Sequence, residues 1–182
     1  MSAFPRRLPG DPSRAALIER MIRVDHAGEY GAKRIYDGQL AVLGRAKTAP
    51  EIRRMAEQEQ RHLDAFDKLI AERRVRPTAL SPLWHAAGFA LGAATALLGE
   101  RAAMACTVAV EEVIDEHYRR QSAALGDGEP ALKAAIDEFR RDERKHRDVA
   151  LAHGAEEAPF YLVLSAAIKA GSRLAIWLST RL

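Results

Sequence analysis

The sequence predicts an all-α protein, a four-helix bundle built from a duplicated helical hairpin, on three observations. Alanine, leucine, glutamate and arginine abound while valine, threonine and aromatic residues are sparse, a balance that favours helix over sheet. Apolar residues recur every three or four positions over long segments, the period of a half-buried helix. Two of those segments interrupt their apolar stripe with the same pair, Glu-x-x-His. The 182 residues suit one domain with a sizeable core. The expected layout is a flexible N-terminus over 1–12 and a single bundle domain over 13–182. Its halves fall at about 13–76 and 100–155, with an apolar crossover at 77–99 and an apolar C-terminal helix at 159–182.

The first helix starts at Asp11-Pro12-Ser13, a capping signal. It runs to Gly44 with Ile18, Met21, Ile22, Ala32, Tyr36 and Leu43 inward. Glu29 shares that face. Gly28 and Gly31 beside it cost a helix about 1 kcal/mol each relative to alanine. That cost fits either close approach by a neighbouring helix or ligand, or a kink. Gly44 to Pro50 is short enough to fold the second helix back antiparallel. The second helix, Pro50 to Arg73, carries Ile52, Met55, Phe66, Leu69 and Ile70 on one stripe, with Glu59 and His62 in its middle.

From Pro77 to Gly99 there is no Asp, Glu, Lys or Arg. Three readings fit: a connection packed on the bundle, an amphipathic helix in a membrane surface, and a membrane span. The surface helix is favoured, because a span would separate the two halves of the site. The third bundle helix runs from Glu100 to Leu125. Its face through Glu111 carries Met104, Val108, Ile114 and Tyr118, whereas the face through Glu112 turns polar at Asp115, Glu116 and Arg119. Glu111 is therefore the inward acid, and Glu112 faces solvent or supports the site from behind. Proline at the first turn, Pro130, opens the fourth helix. Its stripe of Leu132, Ala135, Ile136, Phe139 and Val149 is interrupted by Glu143 and His146. Glu156 to Pro159 is expected to close it. The last segment is apolar with only Lys169, Arg173 and Arg181 charged. It reads as an interfacial helix facing anionic lipid, or as a fifth helix with its basic residues in water.

The candidate ligands, Glu29, Glu59, His62, Glu111, Glu143 and His146, repeat as Glu then Glu-x-x-His. Glu29 and Glu59 are 30 residues apart, and Glu111 and Glu143 are 32 apart. Residues at i and i+3 share a helix face, so the glutamate can bridge two metals while the histidine binds one. Carboxylate and imidazole suit iron or manganese, and the lack of thiolates argues against structural zinc or an iron–sulfur cluster. Pairing with arginines such as Arg140 or Arg147 would leave four carboxylates converging, and these would not all stay ionised without a cation.

The net charge of +3 is mild and its charges are interspersed, which does not suggest nucleic acid as a partner. The single Cys106 excludes an intrachain disulfide, fits a reducing compartment and reads as buried filler. Met1 to Asp11 lacks a signal-peptide core and is short for a transit peptide, so a cytoplasmic, bacterial-type protein is expected. No Rossmann glycine fingerprint is present.

Four strings resemble the demethoxyubiquinone hydroxylase family. They are Arg23-Val24-Asp25-His26-Ala27-Gly28-Glu29-Tyr30-Gly31-Ala32, Arg74-Val75-Arg76-Pro77-Thr78, Gly88-Phe89-Ala90-Leu91-Gly92-Ala93 and Ala105-Cys106-Thr107-Val108-Ala109-Val110-Glu111-Glu112. The likeness runs from about Ile18 to Leu182. It implies a ferritin-like bundle holding two iron ions, with the ligand pattern on the six residues above. It also implies O2-dependent hydroxylation of a polyprenylated demethoxy-quinone in ubiquinone synthesis. Electrons would come from NADH or an NADH-derived donor. The expected place is the cytoplasmic face of the cell membrane, bound peripherally. A lipid-carrier or biosynthetic-complex protein and a homo-oligomer are further possible partners. His117 and Tyr118, one to two turns past Glu111, are candidates to relay protons or electrons, against the plainer reading of a polar helix end.

Three other classes compete. A ferritin-like iron store would use the same ligands but form a shell with a polar exterior. A rubrerythrin-like peroxide scavenger would add a cysteine-rich domain. A non-catalytic, membrane-bound quinone carrier would explain the apolar segments but not six ligand-type residues in a core.

Overall fold

The computed structural model describes residues 10–182, so most of the expected flexible N-terminus lies outside the described residues. Six α-helices and no strand form among them: α1 (Arg14–Leu43), α2 (Ala49–Arg73), α3 (Ser81–Leu97), α4 (Glu100–Leu125), α5 (Pro130–Ala152) and α6 (Tyr161–Ser179). Ser13 caps α1 by accepting a hydrogen bond from the Ala16 amide at 3.1 Å, which satisfies one of the helix's unpaired donors. Pro50 and Pro130 sit in the first turns of α2 and α5, where a missing N–H costs nothing.

The α1–α2 and α4–α5 hairpins form the bundle, with α3 laid along α1 and α6 along α4. Glu100, at the start of α4, accepts a hydrogen bond from the Thr48 amide at 3.0 Å and so joins the first turn to the second hairpin. Two apolar clusters fill the ends of the bundle. One gathers Tyr36, Ile52, Met55, Met104 and Val108; the other gathers Ile18, Ile22, Phe66, Leu125, Leu132 and Ile136. The six candidate ligands occupy the space between. Cys106 is fully buried, and burial pushes its thiol up to about 12, as expected of filler.

The crossover is a packed helix. α3 approaches α1 through small residues: a Cβ on Gly88 would meet the Gly31 carbonyl oxygen at 2.8 Å, and one on Gly92 would strike the Ile35 carbonyl. Gly92→Ala is therefore expected to push α3 off α1 and cost about 1–3 kcal/mol, the usual range for overpacking. Thermal unfolding followed by circular dichroism would register it as a drop of several degrees in Tm. The opposite side of α3 is apolar and open, with Leu83 and Leu97 exposed. Of the described helices only α6 is long and apolar enough to cross a membrane, so the reading of 77–99 as a span finds no support.

Two features differ from expectation. α5 ends at Ala152, before Glu156 to Pro159, because Gly154 takes a left-handed φ of 78° and turns the chain. On α6, Lys169 forms an ion pair with Glu112 of α4 instead of joining Arg173 on an outward cationic face. The outward side of α6 keeps Phe160 (85 % exposed), Leu162, Val163, Leu174 and Trp177. Its C-terminal end is tied to α3, with the Trp84 indole donating to Ser179 at 2.9 Å and the Ala79 amide to the Leu182 carbonyl at 3.2 Å.

Candidate metal centre

The structure brings all six predicted ligands together, each no more than 2 % exposed. They form two interlocking groups, Glu29, Glu59, His62 and Glu143, and Glu59, Glu111, Glu143 and His146. Within each group the ligand atoms lie within 4.8 Å of one another. Glu59 and Glu143 belong to both. Two cations held there could share Glu59 and Glu143, each with one further glutamate and one histidine.

The imidazoles present Nδ1 to this cluster. His62 Nδ1 lies 3.3 Å from Glu29 and 3.1 Å from Glu143, and His146 Nδ1 lies 3.1 Å from Glu59 and 3.2 Å from Glu143. Both oxygens of Glu59 and of Glu143, one oxygen each of Glu29 and Glu111, and both Nδ1 atoms have no hydrogen-bond partner. Buried polar atoms are seldom left so, and a cluster of orphans of one chemical type fits a cation with oxygen and nitrogen ligands. The arginine alternative fails: Arg140 pairs with Asp115 and Arg147 with Asp148.

Electrostatics point the same way. Burial, followed by the Glu143 charge, pushes Glu59 well above the usual carboxylate range and Glu111 up to about 8. Burial opposes charge on His62, but Glu143 and Glu29 override it and lift the imidazole to about 11. Burial would likewise raise Glu143, yet His146 and His62 hold it down to about 2. Protons thus stand where a cation would.

Two tyrosines complete the centre. The Tyr36 hydroxyl donates to Glu111 at 2.6 Å, and the Tyr118 hydroxyl donates to Glu29. Burial foremost, then the neighbouring carboxylates, keeps both phenols well above their usual range, so they remain donors. Sequence reasoning placed Tyr36 in the core without this role. The signal was present, since each tyrosine stands seven residues after a terminal glutamate. Tyr118 touches a candidate ligand, whereas His117 does not. The His117 Nε2 lies 3.1 Å from Asp25 and 2.9 Å from Gln121, with its side chain 22 % exposed.

A Cβ added at Gly28 or at Gly31 would meet nothing within 4 Å. Both glycines line an apolar cavity of about 370 Å³ between α1, α3, α4 and α6, together with Ala27, Leu91, Val110 and Ile114. Gly28 and Val110 are the sequence neighbours of Glu29 and Glu111, so the cavity borders the helices that carry the terminal carboxylates.

Comparison with known proteins decides the family. Residues 16–179 match the family described as Ubiquinone biosynthesis protein COQ7. The chain belongs to the COQ7 family. It is 65 % identical over 176 residues to a 3-demethoxyubiquinol 3-hydroxylase of Rhodospirillum rubrum, covering 96 % of this chain and 83 % of that protein. It is 56 % identical over 174 residues to the human mitochondrial NADPH-dependent 3-demethoxyubiquinone 3-hydroxylase, covering 93 % and 80 %. With the 5-demethoxyubiquinone hydroxylase of Saccharomyces cerevisiae it shares 42 % over 187 residues, covering 93 % and 80 %. Membership in the COQ7 family agrees with the all-α bundle and with the buried acid and imidazole cluster.

Proposed function

We propose that this chain is a dinuclear iron hydroxylase of demethoxyubiquinol or demethoxyubiquinone, with Glu29, Glu59, His62, Glu111, Glu143 and His146 as its ligands. The observation that carries the proposal is the pair of ligand groups sharing Glu59 and Glu143. Two irons held there would supply the oxygen chemistry, with one atom of O2 going to the ring and the other to water at the expense of two electrons from NADH or an NADH-derived donor.

The chain's own residues do the rest. Tyr36 and Tyr118 hold Glu111 and Glu29 by hydrogen bonds, which would orient those carboxylates toward a bound cation. Tyr118, in contact with Glu29, and His117, bonded to Asp25 and partly open to solvent, form the proposed relay for protons or electrons. The cavity takes the quinone ring and the start of its isoprenoid tail: its walls are almost wholly apolar, and they exclude the water that would compete at the ring. The exposed apolar sides of α3 and α6 rest on the membrane in which such a substrate dissolves, with Arg173 near the headgroups. On this reading the protein works peripherally at the cytoplasmic face of the cell membrane.

The test is to load the purified chain anaerobically with iron(II), add a short-tailed demethoxyquinol, and admit 18O2. About two irons per chain and one labelled hydroxyl on the ring are expected. Iron that is oxidised with no ring product would replace this proposal with iron or peroxide handling.

The glycines give a separate prediction. Gly31→Leu has room, because nothing lies within 4 Å of the added Cβ, but its side chain enters the cavity. Iron content is expected to stay unchanged while kcat/KM for the quinol falls about 10- to 100-fold, the range for a misfitted apolar pocket. Gly31→Ala is expected to stabilise the helix by up to about 1 kcal/mol, separating the folding cost of glycine from its use.

A further inference from the structure

The two hairpins repeat in ligand order, α1 against α4 at an offset of 82 residues and α2 against α5 at an offset of 84. Glu29, Tyr36 and Gln39 of α1 correspond to Glu111, Tyr118 and Gln121 of α4, and Glu59 and His62 of α2 to Glu143 and His146 of α5. The correspondence extends to hydrogen bonds. Each tyrosine donates to the other hairpin's terminal glutamate. Each glutamine donates to the residue four positions before that glutamate: Gln39 to Thr107 at 3.4 Å, and Gln121 to Asp25 at 2.7 Å.

Three pairs break the symmetry, and all three break it in one direction. Behind His62, Nε2 faces the Asp142 carboxylate at 3.4 Å; behind His146, Nε2 faces the Gln58 amide oxygen at 3.1 Å. Lys145 holds the other Asp142 oxygen at 2.8 Å, which keeps the first turned toward His62. Four residues before Glu29 stands Asp25, whereas Thr107 occupies that place before Glu111. His117, bonded to Asp25, corresponds to Ile35. Every acid and the extra imidazole surround the Glu29–His62 position. The Glu111–His146 position is backed by an amide, a hydroxyl and an aliphatic side chain.

We infer that the two metal positions are inequivalent, with the Glu29–His62 position filling first and Asp142 as the positioning residue that sets the order. The inference rests on the dinuclear reading above. A carboxylate accepting the outer N–H of a ligating imidazole raises its basicity and orients the ring, and removing such a partner typically lowers metal affinity 10- to 100-fold. An amide acceptor orients the ring without adding negative charge. The slightly shorter Gln58 contact does not reverse this, since the bond to an ionised acceptor is roughly twice as strong as a neutral one.

The chain, stripped of metal and titrated anaerobically with 57Fe(II), tests the inference by Mössbauer spectroscopy without any turnover. At one iron per chain a single ferrous quadrupole doublet is expected, and a second doublet grows with the second equivalent. In Asp142→Asn the first step weakens 10- to 100-fold, so that the two doublets grow together. In Gln58→Glu the second step tightens by a similar factor, and this variant carries the test alone should Asp142→Asn lose its helical circular dichroism. Two doublets growing together in the unaltered chain, or steps that neither variant moves, would overturn the inference while leaving the dinuclear centre intact. Failure to bind two irons at all would instead remove the centre itself.

Discussion

Glu143→Ala is expected to empty both metal positions and to lower ring hydroxylation by about a thousandfold or more. Glu143 is shared by the two ligand groups and faces both imidazoles, at 3.1 Å from His62 and 3.2 Å from His146. Its loss therefore removes one ligand from each position at once. The group that would activate O2 disappears with the metal, and each 1.4 kcal/mol or so of barrier is a factor of ten in rate. Glu111→Ala removes a terminal ligand from one position only, so about one iron per chain should survive. The comparison is made by iron analysis and quinol turnover on the same preparations. If Glu143→Ala kept two irons, the bridging assignment would be wrong.

The second large effect is on stability and depends on pH. In the metal-free chain Glu111 is raised to about 8 by burial and then Glu143, and His62 is raised to about 11 by its carboxylate neighbours against the opposing effect of burial. A group whose pKa is raised on folding contributes stability that is full below its unfolded value and is lost as pH climbs through the folded one. Between about pH 4.5 and 8 the metal-free fold thus loses the contribution of Glu111, and the loss from His62 begins above about pH 6.5 and continues toward 11. Glu143, held near 2 by His146 and His62 against its burial, acts in the opposite sense only in acid. A cation replaces those protons, so metal binding releases them and tightens as pH rises. With free metal about a thousandfold above its dissociation constant, the loaded chain gains about 4 kcal/mol. For a chain of this size that is a rise of about 8–16 °C in Tm. Calorimetry with and without a chelator should show the gap widening from pH 6 to pH 8. A gap that narrows would mean that the buried acids are not what the metal neutralises.

Much of this was legible in the residues. The stripe interrupted by Glu59 and His62, and again by Glu143 and His146, has one economical explanation, because charged groups are not carried into a core without partners. Glu111 was separable from Glu112 because a helix turns 100° per residue and only one of two adjacent acids can face inward; Glu112 indeed pairs with Lys169 outside the cluster. Other features were not legible. Helical periodicity shows which side of a segment is apolar but not what covers it, so Pro77 to Gly99 read more readily as a membrane-surface helix than as the helix that packs on α1. The hydrogen bonds of Asp25, Gln58, Thr107 and Asp142 depend on which helix stands opposite and at what height.

By itself, then, the sequence determined the all-α class, the duplicated order of six ligand-type residues, and the outline of a dinuclear oxygen chemistry, since each follows from local spacing and side-chain type. Only the tertiary structure decided that Glu59 and Glu143 are the shared pair, that Gly28 and Gly31 line a cavity, and that acidic partners collect on one side of the centre. Those properties belong to distances between residues far apart in the chain, 80 positions for His62 and Asp142 and 96 for Asp25 and Gln121. They are created when the hairpins pack, and no local pattern encodes them.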